Sequence, residues 1–261
     1  MPSAMTASSS TIRIFATPPT IEGRAAINVY PTGDDPVNDP FAELRIGFTA
    51  AVSHELRTPL ARIMVLLDSA ELDGADVPQL LDQARAEVEQ AGMLIDEILF
   101  LSELESGHEI VSLGRTNALP ILEQVVAEHE EAAGRAGIAL RATGDPDVDV
   151  PLRPRMLRVV AENLTENAIR YAGPSATFTL EIVADGVGGA VLLATDDGAG
   201  VAQSELPRLF ERFWRADSAR ASRGTGLGLA IVKHVVAAAG GTVEAESMPG
   251  AGLRIRAVFP G

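Results

Sequence analysis

The sequence lacks cysteine and is poor in aromatic residues and in lysine. None of the 261 residues is cysteine, which excludes disulfides, thiolate metal sites and a cysteine nucleophile. Aromatic residues make up 4% of the chain and hydrophobic residues 46%, so we expect an aliphatic core. Lys233 is the single lysine. The net charge of −15 argues against a general binder of nucleic acid or acidic membranes, because phosphate contacts need a basic surface.

Long apolar runs are missing as well. No stretch reaches the roughly 18 consecutive apolar residues that a membrane-spanning helix needs. The N-terminus has no charged segment followed by an apolar one, so it does not resemble a secretion signal. We therefore expect this chain to be cytoplasmic, with any membrane association supplied by a sensor segment or partner outside it.

Residues 1–40 are rich in serine, threonine, proline and alanine. This composition predicts a mostly disordered segment with short strand-like runs at 11–15 and 25–30.

Residues 41–106 have the pattern of a helical hairpin. The first helix is predicted at about 41–69, along one apolar stripe formed by Leu44, Phe48, Val52, Leu56, Leu60, Ile63, Leu67 and the following Ala70. The acidic stretch 71–78 ends this helix, and a second helix runs to about residue 105. The second helix has two columns of apolar residues seven apart, namely Leu81, Val88 and Ile95, and Ala84, Ala91 and Ile98. We expect a homodimer in which two hairpins form a four-helix bundle; packing on the following domain is the alternative.

His54 lies in the stretch 52–60 but off the apolar stripe. It is two residues from Val52 and two from Leu56, which places it on the polar face of the helix. Glu55 is its neighbour, and Thr58 follows one turn later on the same side. On the helix alone, His54 could be an ordinary surface histidine.

Residues 115–261 mix strands with helices, and the change of composition at 106–115 marks the boundary. Helices are predicted at 120–136, 154–171 and 228–239, and strands at 138–142, 177–184, 190–196, 242–247 and 253–259. Several strands are neighbours in sequence. The prediction is therefore an α/β sandwich, with helices on one face of a mixed sheet, and an α+β chain overall.

Two segments of this domain have residue types suited to a nucleotide. Asn163 and Asn167 share one helical face with Arg170 three residues further on; amide oxygens suit Mg²⁺, and arginine suits phosphate. Asp196 follows an apolar strand and precedes Gly198 and Gly200, where the backbone can pass close to a ligand. An ordinary polar helix face and an ordinary turn are the plain alternatives.

Two further segments follow. Residues 209–215 are amphipathic and could form a plain surface helix. Residues 224–228 place closely spaced glycines at the start of a helix, where backbone N–H groups can point at an anion. Between the two, residues 216–223 are polar and basic, and we interpret them as a mobile lid over phosphates.

Taken together, residues 41–261 resemble the transmitter core of a two-component sensor histidine kinase. The chain has five motifs in the order of that family: a histidine box at 54–59, an asparagine box at 163–171, a glycine box at 196–200, a phenylalanine box at 209–215 and a second glycine box at 224–229. The resemblance implies a dimerisation and histidine-phosphotransfer bundle, followed by an ATP-binding domain of the type found in gyrase, Hsp90 and MutL.

The resemblance also implies roles for single residues. His54 would accept the phosphoryl group from Mg-ATP, Glu55 would take the ring proton, and Thr58 would serve dephosphorylation of the partner. Asn167 would bind Mg²⁺. The other residues implied in ATP binding are Asn163, Arg170, Tyr171, Asp196, Gly198, Gly200, Arg215, Gly224, Thr225, Gly226, Leu227 and Gly228.

The partner that the resemblance implies is the receiver domain of a response regulator, phosphorylated on aspartate. Two departures stand out: Arg170 replaces the usual lysine, and Pro154-Arg155 stands where the family usually has an acidic turn residue. Two other functions stay open at this point, an ATP-binding regulatory protein of the anti-sigma type that phosphorylates serine, and a scaffold that dimerises without chemistry.

Overall fold

A computed structural model describes residues 11–14, 40–105, 114–215, 224–247 and 250–261. At 11–14, 40–50 and 105 it describes the backbone alone. Most of the segment predicted as disordered, part of the predicted boundary and the predicted lid therefore lie outside the described residues. The chain divides into two compact units, one of Pro19–Phe100 and the other of Met1–Pro18 with Leu101–Gly261.

The first unit contains the predicted helical hairpin. Helix α1 spans Pro40–Ala70 and continues through Pro59, and α2 spans Val77–Glu105, its last turn falling in the second unit. The connecting turn contains Gly74 at φ 82°, a conformation that favours glycine. Asp76 caps α2, since its Oδ1 accepts a hydrogen bond of 3.2 Å from the Gln79 N–H.

The hairpin buries only part of its apolar surface. Ala84, Glu87 and Leu94 of α2 are buried, and Glu87 pairs with Arg62 of α1 at 3.6 Å. Of the two apolar columns predicted on α2, the one beginning at Leu81 stays exposed. The large exposed apolar side chains on the two helices and their turn are Leu60, Met64, Val65, Leu67, Leu72, Val77, Leu81, Val88, Met93, Ile95 and Leu99. Apolar surface of this extent marks an interaction face.

The second unit is an α/β sandwich. Its helices are α3 (Leu119–Ala136), α4 (Pro154–Tyr171) and α5 (Gly228–Ala238), with a 3₁₀ turn at Leu206–Arg208. Its strands are β1 (Thr11–Ile14), β2 (Thr116–Asn117), β3 (Ala139–Gly144), β4 (Asp149–Val150), β5 (Thr177–Ala184), β6 (Ala190–Asp196), β7 (Thr242–Ser247) and β8 (Leu253–Phe259).

Six strands form the main sheet in the order β1-β7-β8-β6-β5-β3. Only β3 and β5 are parallel, so the sheet is mixed as predicted. One face of the sheet is apolar and buried. Leu180, Ala194 and Ile255 lie opposite one another in register on neighbouring strands, and all three are buried. The helices α3, α4 and α5 pack on one another and on the sheet. On the other face, the ion pair between Arg256 and Glu244 links neighbouring strands.

The boundaries of α4, β5, β6, β7 and β8 match the sequence prediction. The surface helix considered for residues 209–215 does not form; a 3₁₀ turn precedes it, and Phe213 has φ 60°, which interrupts helical geometry. The short pair β2 and β4 was not predicted, since two-residue strands are too short to show a period.

None of the helices in the described ranges is both long enough and apolar enough to cross a membrane.

Thr165 is an exception in the apolar core of the second unit. Its side chain is fully buried on α4, and its hydroxyl has no hydrogen-bond partner among the described residues. A buried hydroxyl without a partner costs free energy, because it loses its hydrogen bonds to water on folding.

Replacing Thr165 with valine should stabilise the second unit by about 1 kcal/mol, because the shape is kept and the unsatisfied hydroxyl is removed. The matched control is Thr116→Val, since the buried Thr116 hydroxyl donates to the Leu152 carbonyl at 2.5 Å. That substitution should destabilise. Urea unfolding of both variants measures the difference; a loss of stability with Thr165→Val would contradict this account.

Candidate nucleotide and phosphotransfer sites

Helix α4 presents a polar edge beside its buried face. Pro154 starts the helix at its first turn, where a missing N–H costs nothing. The buried face packs inward through Met156, Leu157, Val160, Ala161, Leu164, Thr165 and Ala168. Asn163 and Asn167 are half-buried at the edge of this face, and Arg170 is exposed near the end of the helix. One amphipathic helix thus aligns all three residues.

Asp196 ends β6 with a buried carboxylate. It is 7% exposed, and its Oδ1 accepts hydrogen bonds from the Gly198 N–H at 2.9 Å and the Leu253 N–H at 3.3 Å. Burial raises the pKa of Asp196 above its ordinary value; the two backbone donors oppose that rise, and the nearby Asp197 adds to it. The structure therefore holds a carboxylate in place at a desolvation cost.

The loop after Asp196 is held against the end of α4. The Ala199 N–H donates to the Ala172 carbonyl at 2.9 Å, and a Cβ on Gly198 would collide with that same carbonyl. Gly200 has φ 69°, which again favours glycine. The close approach to Ala172 thus explains Gly198, and the positive φ explains Gly200.

The second glycine box lies against the polar edge of α4. A Cβ on Gly228 would stand 2.7 Å from the Asn163 Oδ1, and one on Gly224 would stand 2.6 Å from the Tyr171 hydroxyl. A Cβ on Gly224 would also lie 3.3 Å from Arg170 atoms. The asparagine box and the second glycine box therefore meet in space, although about sixty residues separate them in sequence.

Inside this box, Thr225 and Leu227 are buried, and the Thr225 hydroxyl accepts from the Leu227 N–H at 3.3 Å. Gly226 has φ 73°, and its carbonyl accepts from the Phe213 N–H at 2.9 Å. That bond joins the second glycine box to the phenylalanine box, across the segment predicted as a lid.

The phenylalanine box is anchored by buried side chains of Leu206, Leu209 and Phe210. The Arg208 guanidinium lies over the Trp214 ring, 5.8 Å from its centre, a cation–π contact. Arg215 is half-buried at the end of the described part of this segment.

Three residues that support Asp196 were not predicted. The Ser247 hydroxyl donates to the Gly252 carbonyl at 2.6 Å and accepts from the Val201 N–H at 2.7 Å. Gly252 has φ 79° and passes so close to the Asp196 carbonyl that a Cβ could not fit. Leu253 follows and supplies its backbone N–H. In the sequence, only Gly252 offered a signal.

The amide groups of α4 fit a magnesium ion that arrives with a phosphate ligand. The Asn163 amide donates to the Val159 carbonyl at 2.8 Å, which leaves its Oδ1 towards the second glycine box. In the described ranges, no group of three histidine or acidic side chains could hold a metal ion alone. Mg²⁺ in proteins commonly takes few protein ligands together with substrate phosphates, and an amide oxygen is of a suitable type.

The predicted phosphotransfer residues, His54, Glu55 and Thr58, all lie on α1 of the hairpin. The His54 side chain is 76% exposed on α1, and its Nδ1 lies 3.5 Å from Glu55 Oε1. Thr58 is exposed one turn later, and its hydroxyl lies 3.4 Å from the His54 carbonyl, a long hydrogen bond back to the helix. The histidine ring is thus accessible beside a carboxylate and a hydroxyl.

Family models match both parts of the chain. Residues 44–107 match the histidine kinase A phospho-acceptor domain, and residues 153–261 match the histidine kinase-, DNA gyrase B- and HSP90-like ATPase. The two family matches and the fold therefore agree: the helical hairpin is a phospho-acceptor domain, and the α/β unit is an ATPase domain.

Curated relatives extend the match over most of the chain. The sensor-like histidine kinase SenX3 of Mycobacterium bovis is 33% identical, covering 83% of this chain and 54% of SenX3. The phosphate regulon sensor protein PhoR of Pseudomonas aeruginosa is 38% identical, covering 80% of this chain and 48% of PhoR. The chain belongs to the two-component sensor histidine kinase family, and it spans about half the length of these relatives.

Among solved structures, the histidine kinase ThkA in complex with the response regulator protein TrrA matches with a TM-score of 0.66. The match is 19% identical and covers 84% of this chain and 63% of that one. This likeness supports the fold, a helical hairpin followed by an α/β domain.

Asp196→Asn should stabilise the protein at neutral pH. Burial raises the folded-state pKa of Asp196, so the ionised carboxylate opposes folding above that pKa, and this cost disappears below the unfolded-state pKa of about 3.9. An asparagine Oδ1 can still accept both backbone N–H bonds.

The measurement is urea unfolding between pH 4 and 8. The advantage of Asp196→Asn should be largest near pH 8 and shrink towards pH 4. Asp147→Asn, at an exposed aspartate of a different turn, is the control and should change stability little. A variant that is less stable than the wild type at pH 8 would refute the desolvation argument.

Proposed function

We propose that the chain autophosphorylates His54 with Mg-ATP and passes the phosphoryl group to an aspartate of a response regulator. The observation that supports this most is the meeting of the α4 polar edge with the second glycine box, on the helix whose end also contacts the loop that follows Asp196. The ATPase family match and the accessible His54 of the phospho-acceptor hairpin agree with it.

In this proposal, Asp196 selects the base. A fixed carboxylate oxygen accepts a hydrogen bond from the exocyclic amine of adenine, whereas guanine presents a carbonyl at the same position. Desolvation strengthens this discrimination, because an unpaired group in a buried site loses its hydrogen bonds to water. Gly198 and Gly200 let the loop pass close to the end of α4, which would leave room for the base.

The phosphates would lie between α4 and the second glycine box. Arg170 supplies positive charge and Tyr171 a hydroxyl, and residues 224–228 offer backbone N–H groups near the start of α5. Arg215 would reach the terminal phosphate from the phenylalanine box. Asn167, supported by Asn163, would hold Mg²⁺, which neutralises charge that develops during phosphoryl transfer.

His54 would act as the nucleophile. Neutral imidazole attacks the γ-phosphorus, the bond to the oxygen of the leaving ADP breaks, and phosphohistidine forms. The Nδ1 side of the ring faces Glu55, so the carboxylate stabilises the positive charge that develops on the ring and can take its proton. Nε2 is then the attacking nitrogen. The phosphoryl group moves next to a receiver aspartate, in keeping with the ThkA–TrrA complex.

We also propose a homodimer through α1 and α2. The exposed apolar residues of the hairpin, among them Leu60 at 57% and Val88 at 58% exposure, would be covered in a four-helix bundle. His54 lies on the polar side of α1, so it would stay open to ATP and to the regulator.

His54→Gln should lose autophosphorylation while binding of ATP is unchanged, because the side chain belongs to the hairpin and not to the nucleotide pocket. The assay is incubation with γ-labelled ATP and Mg²⁺, followed by tests of the label for acid lability and base stability. His129→Gln on α3 is the control and should label normally. An acid-labile label that persists on the His54→Gln protein would place the phospho-acceptor elsewhere.

Thr58→Ala should reduce dephosphorylation of the regulator by ~10-fold or more, equal to about 1.4 kcal/mol for one positioned hydrogen bond in a transition state. Thr58 is exposed one turn from His54, so its hydroxyl can hold a water against a docked aspartyl-phosphate. Autophosphorylation should change only a few-fold.

The measurement is loss of phosphate from purified phospho-regulator with ADP and Mg²⁺ present. Thr58→Ser keeps the hydroxyl and should retain the activity. If Thr58→Ala leaves the decay unchanged, the hydroxyl serves only its bond to the helix backbone.

A further inference from the structure

The N-terminal strand β1 completes the sheet of the nucleotide-binding unit. It pairs antiparallel with β7, with Thr11 opposite Glu246, Ile12 opposite Ala245, Arg13 opposite Glu244 and Ile14 opposite Val243. In sequence, β1 precedes the hairpin, and residues 15–39 connect it to the helix that contains His54. Without β1, β7 would be the edge strand of the described sheet, with unpaired backbone groups.

The pairing register is specified by the sequence. β7 alternates the apolar Val243 and Ala245 with Glu244 and Glu246, which pair with Arg256 at 3.6 Å and Arg254 at 4.0 Å. Residues 11–14 alternate in the same way, so that the polar residues of β1 lie opposite the glutamates of β7 and its isoleucines lie opposite the apolar residues. A slip of one residue would set Arg13 opposite an apolar position of β7, so one register is favoured.

The edge that β1 covers is connected to Asp196 by direct contacts. β7 ends at Ser247, whose hydroxyl donates to the Gly252 carbonyl at 2.6 Å. Gly252 packs against the Asp196 backbone, and the next residue, Leu253, donates its N–H to the Asp196 carboxylate at 3.3 Å. Thr11, the first residue of β1, pairs with Glu246, which is one residue from Ser247.

We propose that β1 is a docking strand, bound in cis on the β7 edge, that positions the β7–β8 pair and through it the Asp196 carboxylate. Detachment of β1 lowers the affinity for adenine nucleotide, and by linkage nucleotide strengthens the docking by the same factor. Because the pairing is only four residues long, detachment is accessible, and a partner that captures residues 11–14 would weaken nucleotide binding. The coupling rests on the proposed nucleotide site; the docking does not.

Docking in cis can be tested by disulfide trapping, since the 261-residue chain has no cysteine of its own. The double variant Arg13→Cys with Glu244→Cys places two thiols opposite each other in register. Ile12→Cys with Glu244→Cys is the matched control, because neighbouring strand residues point to opposite faces. Under mild oxidation, the first pair should form an intramolecular disulfide at least ~10-fold faster than the control. Equal rates, or a disulfide mainly between two chains, would overturn docking in cis.

The coupling is tested by prolines. In an antiparallel strand, one of any two neighbouring residues directs its N–H at the partner, so Ile12→Pro with Arg13→Pro removes a ladder bond whichever residue donates. The Kd for Mg-ADP, measured by calorimetry on the full chain, should rise about 5-fold or more. Ile12→Val with Arg13→Lys keeps the strand and the charge and should leave Kd unchanged.

An unchanged Kd in the proline variant, with the disulfide result positive, would overturn the coupling. If the wild-type chain bound no adenine nucleotide, the proposed function would fail and the coupling with it, whereas the disulfide pair would still decide the docking.

Discussion

The buried carboxylate of Asp196 is the constraint on which the nucleotide-binding unit depends. A charged group at the end of β6 is tolerated because two backbone N–H groups, from Gly198 and Leu253, point at it. Those donors can reach it only if two loops pass very close to the β6 end. Gly198 against the Ala172 carbonyl and Gly252 against the Asp196 carbonyl are the positions where that approach leaves no room for a Cβ. Burial therefore gives the ionised carboxylate a desolvation cost, which its two backbone donors reduce.

The hairpin has the opposite requirement, because the proposed phosphotransfer needs an exposed histidine. His54 is 76% exposed beside Glu55, and much of the apolar surface of α1 and α2 is left uncovered in a single chain. A dimer would use that surface for stability without covering the histidine. The ion pair of Arg62 with the buried Glu87 links the two helices and gives a buried carboxylate one of its partners.

Sequence patterns predicted the long, periodic elements well. Helix α4 and strands β5 to β8 have the predicted bounds, since each combines a clear period with glycine or proline at its ends. The pattern could not resolve β2 and β4, or the turn at Phe213, where local geometry is set by tertiary contacts. The Leu81 column of α2 is exposed in one chain, which is compatible with the predicted pairing of two hairpins.

For the candidate site, residue types and order were enough to select Asn163, Asp196 and Gly228, and the structure places Asn163 beside Gly228. The roles assigned to these residues stay predictions. Sequence could not reveal the backbone N–H of Leu253 or the Ser247 hydroxyl, because a backbone donor is present at nearly every position and leaves no mark in the sequence.

Competition between adenine and guanine nucleotides tests the central claim most directly. Wild-type protein would be equilibrated with a fluorescent ADP analogue and Mg²⁺, and the probe displaced with ADP or GDP. If Asp196 accepts a hydrogen bond from the adenine amine in a desolvated pocket, ADP should displace the probe at least ~100-fold more effectively than GDP. Equal displacement by the two nucleotides would contradict the assignment of the pocket.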